Sequence, residues 1–384
     1  MVVSLDKTRI LYVLSTYKVG DGLSCAVYTQ IKDEKREYLV CARWITSIQQ
    51  DLNIIEFEKD RLKTCLLNNR YDIIHYYKGI NSDILKLVLN VVAELNQKIP
   101  VVTTVCQRPS YRSLLLSPYE IKKSSHFVFI DKTSYNDPIV NFIPQERKSQ
   151  IYLVSNTYKL LSEGVDYSRK KNNLVIFGRA TTLIKCPIDM FEIFDQIDYQ
   201  NKEFHIVGVP KDGNWVAEEA KKRNNVVMHG FVSFDRWVEI CKTFDVFLYQ
   251  LPEMCHSSID GNLGLAMWMK IPVVYYGPEA PKERFDHGCN GYVATNKEEI
   301  IQYSTLLAVD YNLRKQIGQA GRDSIELKIG TIEDKLHKYN LVYTKCFDSN
   351  MKSIKIPFLY YFTYIKKAWK RIIRGYTGSY RKLG

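Results

Sequence analysis

Several features are missing from the 384-residue sequence, and each absence narrows the class of protein. No apolar run approaches the ~18 residues that a membrane-spanning helix needs. The chain reaches Asp6 and Lys7 before any long apolar stretch, so we expect no signal peptide. No C-x-x-C motif occurs, and the nine cysteines are odd in number and scattered. That usage predicts buried free thiols in a reducing cytosol.

Acidic residues are absent from the end of the chain. Between residues 351 and 384 there are nine Lys or Arg and no Asp or Glu, so most of the net charge of +12 lies in this tail. The nearly neutral remainder argues against a general polycation that binds nucleic acid. The composition, 46% hydrophobic and 25% charged, excludes a disordered chain, and the length suggests two domains.

Short apolar runs rich in Val, Ile and Tyr alternate with polar stretches that have helical spacing, such as residues 82–97. Nearly continuous apolar runs are typical of strands buried on both faces of a parallel sheet. The alternation predicts βαβ units. The predicted strands lie at residues 9–14, 71–77, 99–105, 126–130, 151–154, 174–178, 203–208, 225–230, 244–249 and 271–277.

A polar segment at residues 162–173 interrupts this alternation and predicts a linker between domains. The predicted fold class is therefore α/β, with two Rossmann-like doubly wound domains facing a cleft. We expect an N-terminal domain over 1–165, a C-terminal domain over 166–345 and a basic aromatic tail over 346–384. Ligands of such sheets bind outside the carboxyl ends of the strands.

Two loops after predicted strands carry candidate ligand-binding residues. Gly20 and Gly22 would let backbone N–H groups approach an anionic or sugar ligand, although a plain turn explains them equally well. Their spacing does not fit the G-x-G-x-x-G dinucleotide motif. Gly178 and Arg179 are followed by Lys185, and this pair of cations suits a diphosphate. The alternative is an ordinary surface loop.

A third candidate region extends over residues 255–293. It opens with a polar loop that contains glycine, continues into a short helix and then enters a predicted strand. Backbone N–H groups at the start of this helix, together with Asp260 and Asn262, are candidates for hydrogen bonds to sugar hydroxyls or phosphate.

The order and spacing of these segments resemble the donor domain of GT-B glycosyltransferases, in particular the retaining group 1 enzymes that use nucleotide-sugars. The N-terminal half matches that family only in general features. The segments that carry the resemblance are Gly178–Arg179 with Lys185, I-V-G at 206–208, N-V-V-M-H-G-F-V at 225–232, F-D-V-F-L-Y at 244–249, L-A-M-W-M-K-I-P-V-V at 265–274, H-G-C-N-G-Y-V at 287–293 and L-R-K-Q-I-G-Q-A-G-R at 313–322.

The resemblance implies roles for individual residues. Arg179 and Lys185 would hold the donor diphosphate and stabilise the leaving group. The backbone of Gly230, Phe231 and Val232 would contact the base. The donor would be a UDP- or GDP-sugar as co-substrate, with no bound cofactor. No D-x-D motif occurs, which fits a metal-independent enzyme. The donor sugar and ribose would be held by Ser257, Ser258, Gly261, Asn262 and Leu263.

The sequence also departs from the family pattern. The two glutamates of the family motif fall on Ser257 and Leu265, and a histidine often found after the strand at 99–105 is replaced by Cys106. The polar candidates for catalysis are Glu253, His256 and Asp260, each of which is also compatible with an ordinary loop or capping role. His75 either faces the cleft or is a hydrogen-bonded core histidine.

The sequence as a whole predicts a glycosyltransferase of the hexosyltransferase type that extends a lipid-linked surface or capsular glycan. We expect it in the cytoplasm or on the inner face of the plasma membrane. Two alternatives are a non-catalytic binding subunit with the same fold and a nucleotide-sugar epimerase. The basic, aromatic residues 351–384 suit an anionic membrane surface, or residues 358–365 pack on the N-terminal domain; nucleic acid is not an expected partner.

Overall fold

The computed structural model describes residues 7–18, 22–48, 51–79, 83–109, 115–153, 173–252, 261–347 and 353–376. The chain divides into two compact units. The first contains Met1–Asn156 and Thr331–Lys382, and the second contains Thr157–Gly330. The chain thus returns to the first unit at Thr331, earlier than the boundary at 345 that the sequence suggests.

The first unit contains a parallel sheet with helices between its strands. Its strands are β1 Ile10–Tyr17, β2 Tyr38–Ile45, β3 Ile54–Glu56, β4 Ile73–Lys78, β5 Val101–Val105, β6 His126–Phe129 and β7 Lys148–Gln150. Its helices up to Asn156 are α1 Gly22–Glu34, α2 Lys59–Asn68, α3 Ile84–Glu94, α4 Pro118–Lys123 and α5 Lys132–Tyr135. The strand order β3-β2-β1-β4-β5-β6-β7 is doubly wound.

The second unit repeats this architecture. Its strands are β8 Val175–Ala180, β9 Lys202–Val207, β10 Val226–Gly230, β11 Val246–Gln250, β12 Val273–Tyr276 and β13 Tyr292–Ala294. Its helices are α6 Met190–Gln196, α7 Trp215–Lys221, α8 Phe234–Cys241, α9 Gly261–Trp268, α10 Glu279–Lys282, α11 Lys297–Val309 and α12 Tyr311–Ile329. All neighbouring strands pair in parallel in the order β10-β9-β8-β11-β12-β13.

Local sequence explains most of these elements. Helix α3 places five apolar residues at helical spacing against the sheet, and all five are buried. Helix α7 begins at Asn214, whose side chain accepts a hydrogen bond from the Ala217 N–H. The predicted strands inside both sheets are confirmed, except that residues 151–153 of the predicted run at 151–154 follow β7 without forming a strand. Strands β2 and β3 were not predicted, because the polar Arg43 interrupts the apolar run of β2 and β3 is only three residues long.

Two helices after the second unit pack on the first, namely α13 Ile332–Cys346 and α14 Phe358–Tyr376. Tyr339 and Tyr343 of α13 are fully buried in the same apolar cluster as β1 and β4. The buried ammonium of Lys335 pairs with the buried carboxylate of Asp33 on α1. Helix α13 is therefore part of the first unit's core.

No helix among the described residues combines the length and the hydropathy that crossing a membrane requires. Seven cysteines whose side chains the structure describes are free thiols, and six of these are buried or half-buried while Cys289 is exposed.

Candidate functional site

The strand order of the second sheet defines where a ligand is expected. The winding direction reverses between β8 and β11, which are neighbours in the sheet. In doubly wound sheets the ligand crevice lies at such a reversal, outside the carboxyl ends of the strands. This edge of the sheet is formed by the end of β8, at Arg179 and Ala180, by the end of β11, at Gln250, and by the loops that follow them.

Arg179 lies at this edge and is fully buried, with 0% of its surface exposed. Its Nη2 donates to the carbonyl of Lys185 at 2.8 Å, which holds the single turn of 3₁₀-helix at Leu183–Lys185. Neither its Nε nor its Nη1 has a hydrogen-bond partner among the described residues, and none of their carboxylates pairs with it. A buried cation whose N–H groups lack acceptors raises the free energy of the folded protein unless an anion binds to it.

Two residues beside Arg179 were not among the predicted site residues. The ring centroid of Tyr249, on β11, lies 6.0 Å from the Arg179 Cζ. Burial raises the pKa of the Cys186 thiol, and the nearby Arg179 guanidinium opposes that rise. The sequence signal that could have identified Tyr249 as a site residue is its position one residue before the carboxyl end of its strand. Cys186 directly follows Lys185 but resembles any buried thiol in the sequence.

Helix α9 brings a third segment to the same edge. The Asn262 side-chain amide donates to the carbonyl of Ala180 at 3.3 Å, so the start of α9 lies beside the end of β8. Gly261 is exposed and Leu263 is fully buried. Leu265, at the position of a motif glutamate, is only 3% exposed and offers no polar side-chain atom. The structure therefore places Arg179, the backbone of Lys185 and Asn262 close together.

Two glycines, Gly208 and Gly230, lie where the neighbouring turns at this edge contact each other. Gly208 has φ +86°, and a Cβ there would lie 2.4 Å from the carbonyl oxygen of Thr181. Its N–H donates to the carbonyl of Gly230 at 2.8 Å, and Gly230 itself has φ +75°. The following Phe231 is 75% exposed and Val232 is half-buried. The predicted base-contacting segment is thus tied to the loops after β8 and β9.

Gly178 has a packing role that the sequence did not predict. It lies within β8 and not after it, and a Cβ there would fall 1.8 Å from the ring of Phe244. Arg179 is likewise the fifth residue of β8, whereas Lys185 is in the loop that follows.

Six of the predicted site residues lie outside the described residues: Gly20, Glu253, His256, Ser257, Ser258 and Asp260. Gly22 belongs to the first unit, where it is the first residue of α1. No group of three or more His, Cys, Asp or Glu within the described ranges could hold a metal ion.

His75 is a hydrogen-bonded core residue of the first unit. It is fully buried, with Nδ1 2.9 Å from the Tyr343 hydroxyl and Nε2 2.7 Å from Thr104 Oγ1. Burial lowers the pKa of His75 to about 3, so its imidazole is neutral at physiological pH. Cys106 follows β5 and is half-buried, and burial raises the pKa of its thiol.

Solved structures with the same architecture are glycosyltransferases of the GT-B type, which confirms the predicted fold. Anabaena HepE in complex with UDP-glucose is 16% identical, with a TM-score of 0.65 over 86% of this chain and 98% of its own. A glycosyltransferase from Rickettsia africae is 13% identical, with a TM-score of 0.66 over 90% and 100%. WaaG, a glycosyltransferase involved in lipopolysaccharide biosynthesis, is 13% identical, with a TM-score of 0.59 over 87% and 99%.

The second unit carries the sequence match. Residues 171–308 match the family model of glycosyl transferases group 1, which confirms the resemblance of this unit to their donor domain. No curated protein sequence matches the chain.

Proposed function

We propose that the protein transfers a sugar from a nucleotide-sugar to a glycan acceptor. The observation that carries this proposal is the buried guanidinium of Arg179 at the reversal of the second sheet, with two nitrogens that no described residue pairs. The diphosphate of a nucleotide-sugar is an anion that a guanidinium binds through paired hydrogen bonds. UDP-sugars are the first donors to test, because HepE binds UDP-glucose; GDP-sugars are the second.

The proposed reaction breaks the bond between the anomeric carbon and the diphosphate oxygen and forms a bond from that carbon to an acceptor hydroxyl. The negative charge that develops on the leaving diphosphate would be stabilised by Arg179 and the half-buried Lys185. The proton of the acceptor hydroxyl would go to a base, for which Glu253, His256 and Asp260 are the candidates. We propose a hexosyltransferase that uses no metal ion, so chelation should leave its rate unchanged.

The proposed acceptor is a growing lipid-linked surface glycan, made on the cytoplasmic side of the plasma membrane. The support for this class comes from the lipopolysaccharide enzymes that share the fold, WaaG and the outer core galactosyltransferase WaaB.

Thermal unfolding with a panel of UDP-, GDP-, ADP- and CMP-sugars tests the donor site. A ligand at 100 times its Kd stabilises the folded protein by ~2.7 kcal/mol, and we expect this from one nucleotide class. Arg179→Met should abolish the stabilisation while the unliganded protein still unfolds cooperatively. Arg223→Met is the matched control, because Arg223 already pairs with Asp195 and Glu219 in the same unit. Undiminished stabilisation of Arg179→Met would contradict the proposed diphosphate site.

One observation favours a second candidate, a non-catalytic subunit that binds nucleotide-sugar. Leu265 is buried and apolar where the family motif has a glutamate, so it cannot accept a hydrogen bond from the ribose. Such a subunit would be stabilised by a donor but release no free nucleotide in the presence of acceptor. An epimerase would instead convert the nucleotide-sugar without any acceptor, and chromatography of the products separates the three cases.

A further inference from the structure

One face of helix α14 is anchored to the first unit. Tyr360 is 4% exposed, and its hydroxyl donates to the carbonyl of Leu116 at 2.6 Å. Its ring meets that of Phe142 edge to face, with centroids 4.9 Å apart. Tyr364, one turn further on, packs against the same apolar cluster. This face therefore fixes the orientation of the helix on the unit.

Another face of α14 exposes large apolar side chains to solvent. Phe358, Phe362, Ile365 and Trp369 are 85%, 56%, 52% and 62% exposed. Their spacing of four, three and four residues places them on one line along the helix. Leu359, which borders this line, is 73% exposed. We call these five residues the apolar stripe; leaving them in water is unfavourable.

The charge of this segment identifies the kind of partner that fits the stripe. Residues 353–376 contain six Lys or Arg and no Asp or Glu. Lys355 and Lys366 are exposed close to the stripe in sequence. A second copy of the chain would bring two positive segments together and be repelled. A surface with an apolar interior and negative headgroups complements both features.

We propose that α14 binds the interface of an anionic lipid bilayer, lying in its plane with the apolar stripe among the acyl chains. Trp369, the last residue of the stripe, would sit where the acyl chains meet the headgroups, a depth at which tryptophan is enriched. The basic residues of the segment would meet the negative surface potential. This inference does not depend on the transferase activity, because α14 is anchored to the first unit and binding needs neither donor nor acceptor.

Flotation of the full-length protein with lipid vesicles tests the proposal. We expect at least about tenfold stronger partitioning onto phosphatidylcholine vesicles with roughly 30% phosphatidylglycerol than onto phosphatidylcholine alone. Phe362→Ser/Ile365→Ser/Trp369→Ser should weaken partitioning by at least about tenfold. Lys355→Glu/Lys366→Glu should also weaken it and reduce its dependence on salt concentration.

Leu327→Ser is the matched control, since Leu327 is 86% exposed on α12 of the second unit and should not affect partitioning. Equal thermal unfolding temperatures of all variants exclude misfolding as the cause. Brominated lipids should quench the fluorescence of the wild type more than that of Trp369→Phe. Equal partitioning onto neutral and anionic vesicles, or undiminished partitioning of the triple variant, would overturn the proposal. Self-association without lipid that the triple variant abolishes would assign the stripe to a second copy instead.

Discussion

Arg179 and His75 are both fully buried and ionisable, but their surroundings give them opposite properties. No described residue accepts from the Nε and Nη1 of Arg179. Both ring nitrogens of His75, in contrast, are hydrogen-bonded within the core. The arginine is therefore suited to an incoming anion, and the histidine is suited to holding α13 on the sheet.

The stability of the first unit should depend on pH through His75. Because the pKa of His75 is lowered to about 3, the unfolded chain binds a proton that the folded chain does not between pH 6.5 and about 3. Acid therefore destabilises the wild type by up to ~1.4 kcal/mol per pH unit in this window. His75→Gln should cost roughly 1–3 kcal/mol at pH 7. That cost should shrink by about 2 kcal/mol at pH 5, as measured by urea unfolding.

His337→Gln provides the comparison, since His337 is exposed on the same helix, α13. Because it removes no core contact, it should cost little free energy of unfolding. If the cost of His75→Gln were independent of pH, the imidazole would not be held neutral by burial.

The turns at the carboxyl edge of the second sheet illustrate how neighbouring elements constrain each other. Gly208 and Gly213 both have positive φ, +86° and +70°. A Cβ at Gly213 meets nothing within 4 Å, whereas one at Gly208 would clash with the Thr181 carbonyl. Replacing each glycine by alanine therefore distinguishes the free-energy cost of a left-handed backbone conformation from the cost of steric crowding.

We expect Gly208→Ala to lower the free energy of unfolding by roughly 2–4 kcal/mol, because strain and overpacking add. Gly213→Ala should cost only about 1–2 kcal/mol. Thr181 follows Arg179 closely in the chain, so Gly208→Ala should also weaken donor binding in the thermal-shift assay. Equal unfolding free energies for the two variants in denaturant titrations would show that the Thr181 loop moves away without cost.

For the molecule as a whole, the return of the chain to the first unit is held by a buried ion pair. The side chains of Lys335 and Asp33 are 2% and 0% exposed, and they join α13 to α1. Removing one partner takes away the counter-ion of the other buried charge. We expect Lys335→Met to cost about 3–5 kcal/mol in the free energy of unfolding.

The double variant Asp33→Leu/Lys335→Met should recover most of that loss, because it removes both buried charges. Chemical denaturation of the single and double variants measures the coupling between the two residues. A double variant no more stable than Lys335→Met alone would indicate that the ion pair does not account for the loss.

Local patterns in the sequence predicted the two parallel sheets and helix α3, because apolar periodicity depends on residues close together in the chain. The same patterns predicted that Arg179 and Lys185 bind a ligand, which stays a prediction. They did not predict that Gly178 makes room for Phe244, or that Tyr249 lies beside Arg179. Nor did they choose between the two interpretations of His75, whose partner Tyr343 is 268 residues away. Burial and pairing of this kind arise only when distant segments pack together, as when α13 returns to the first sheet and the exposed stripe of α14 is left facing outward.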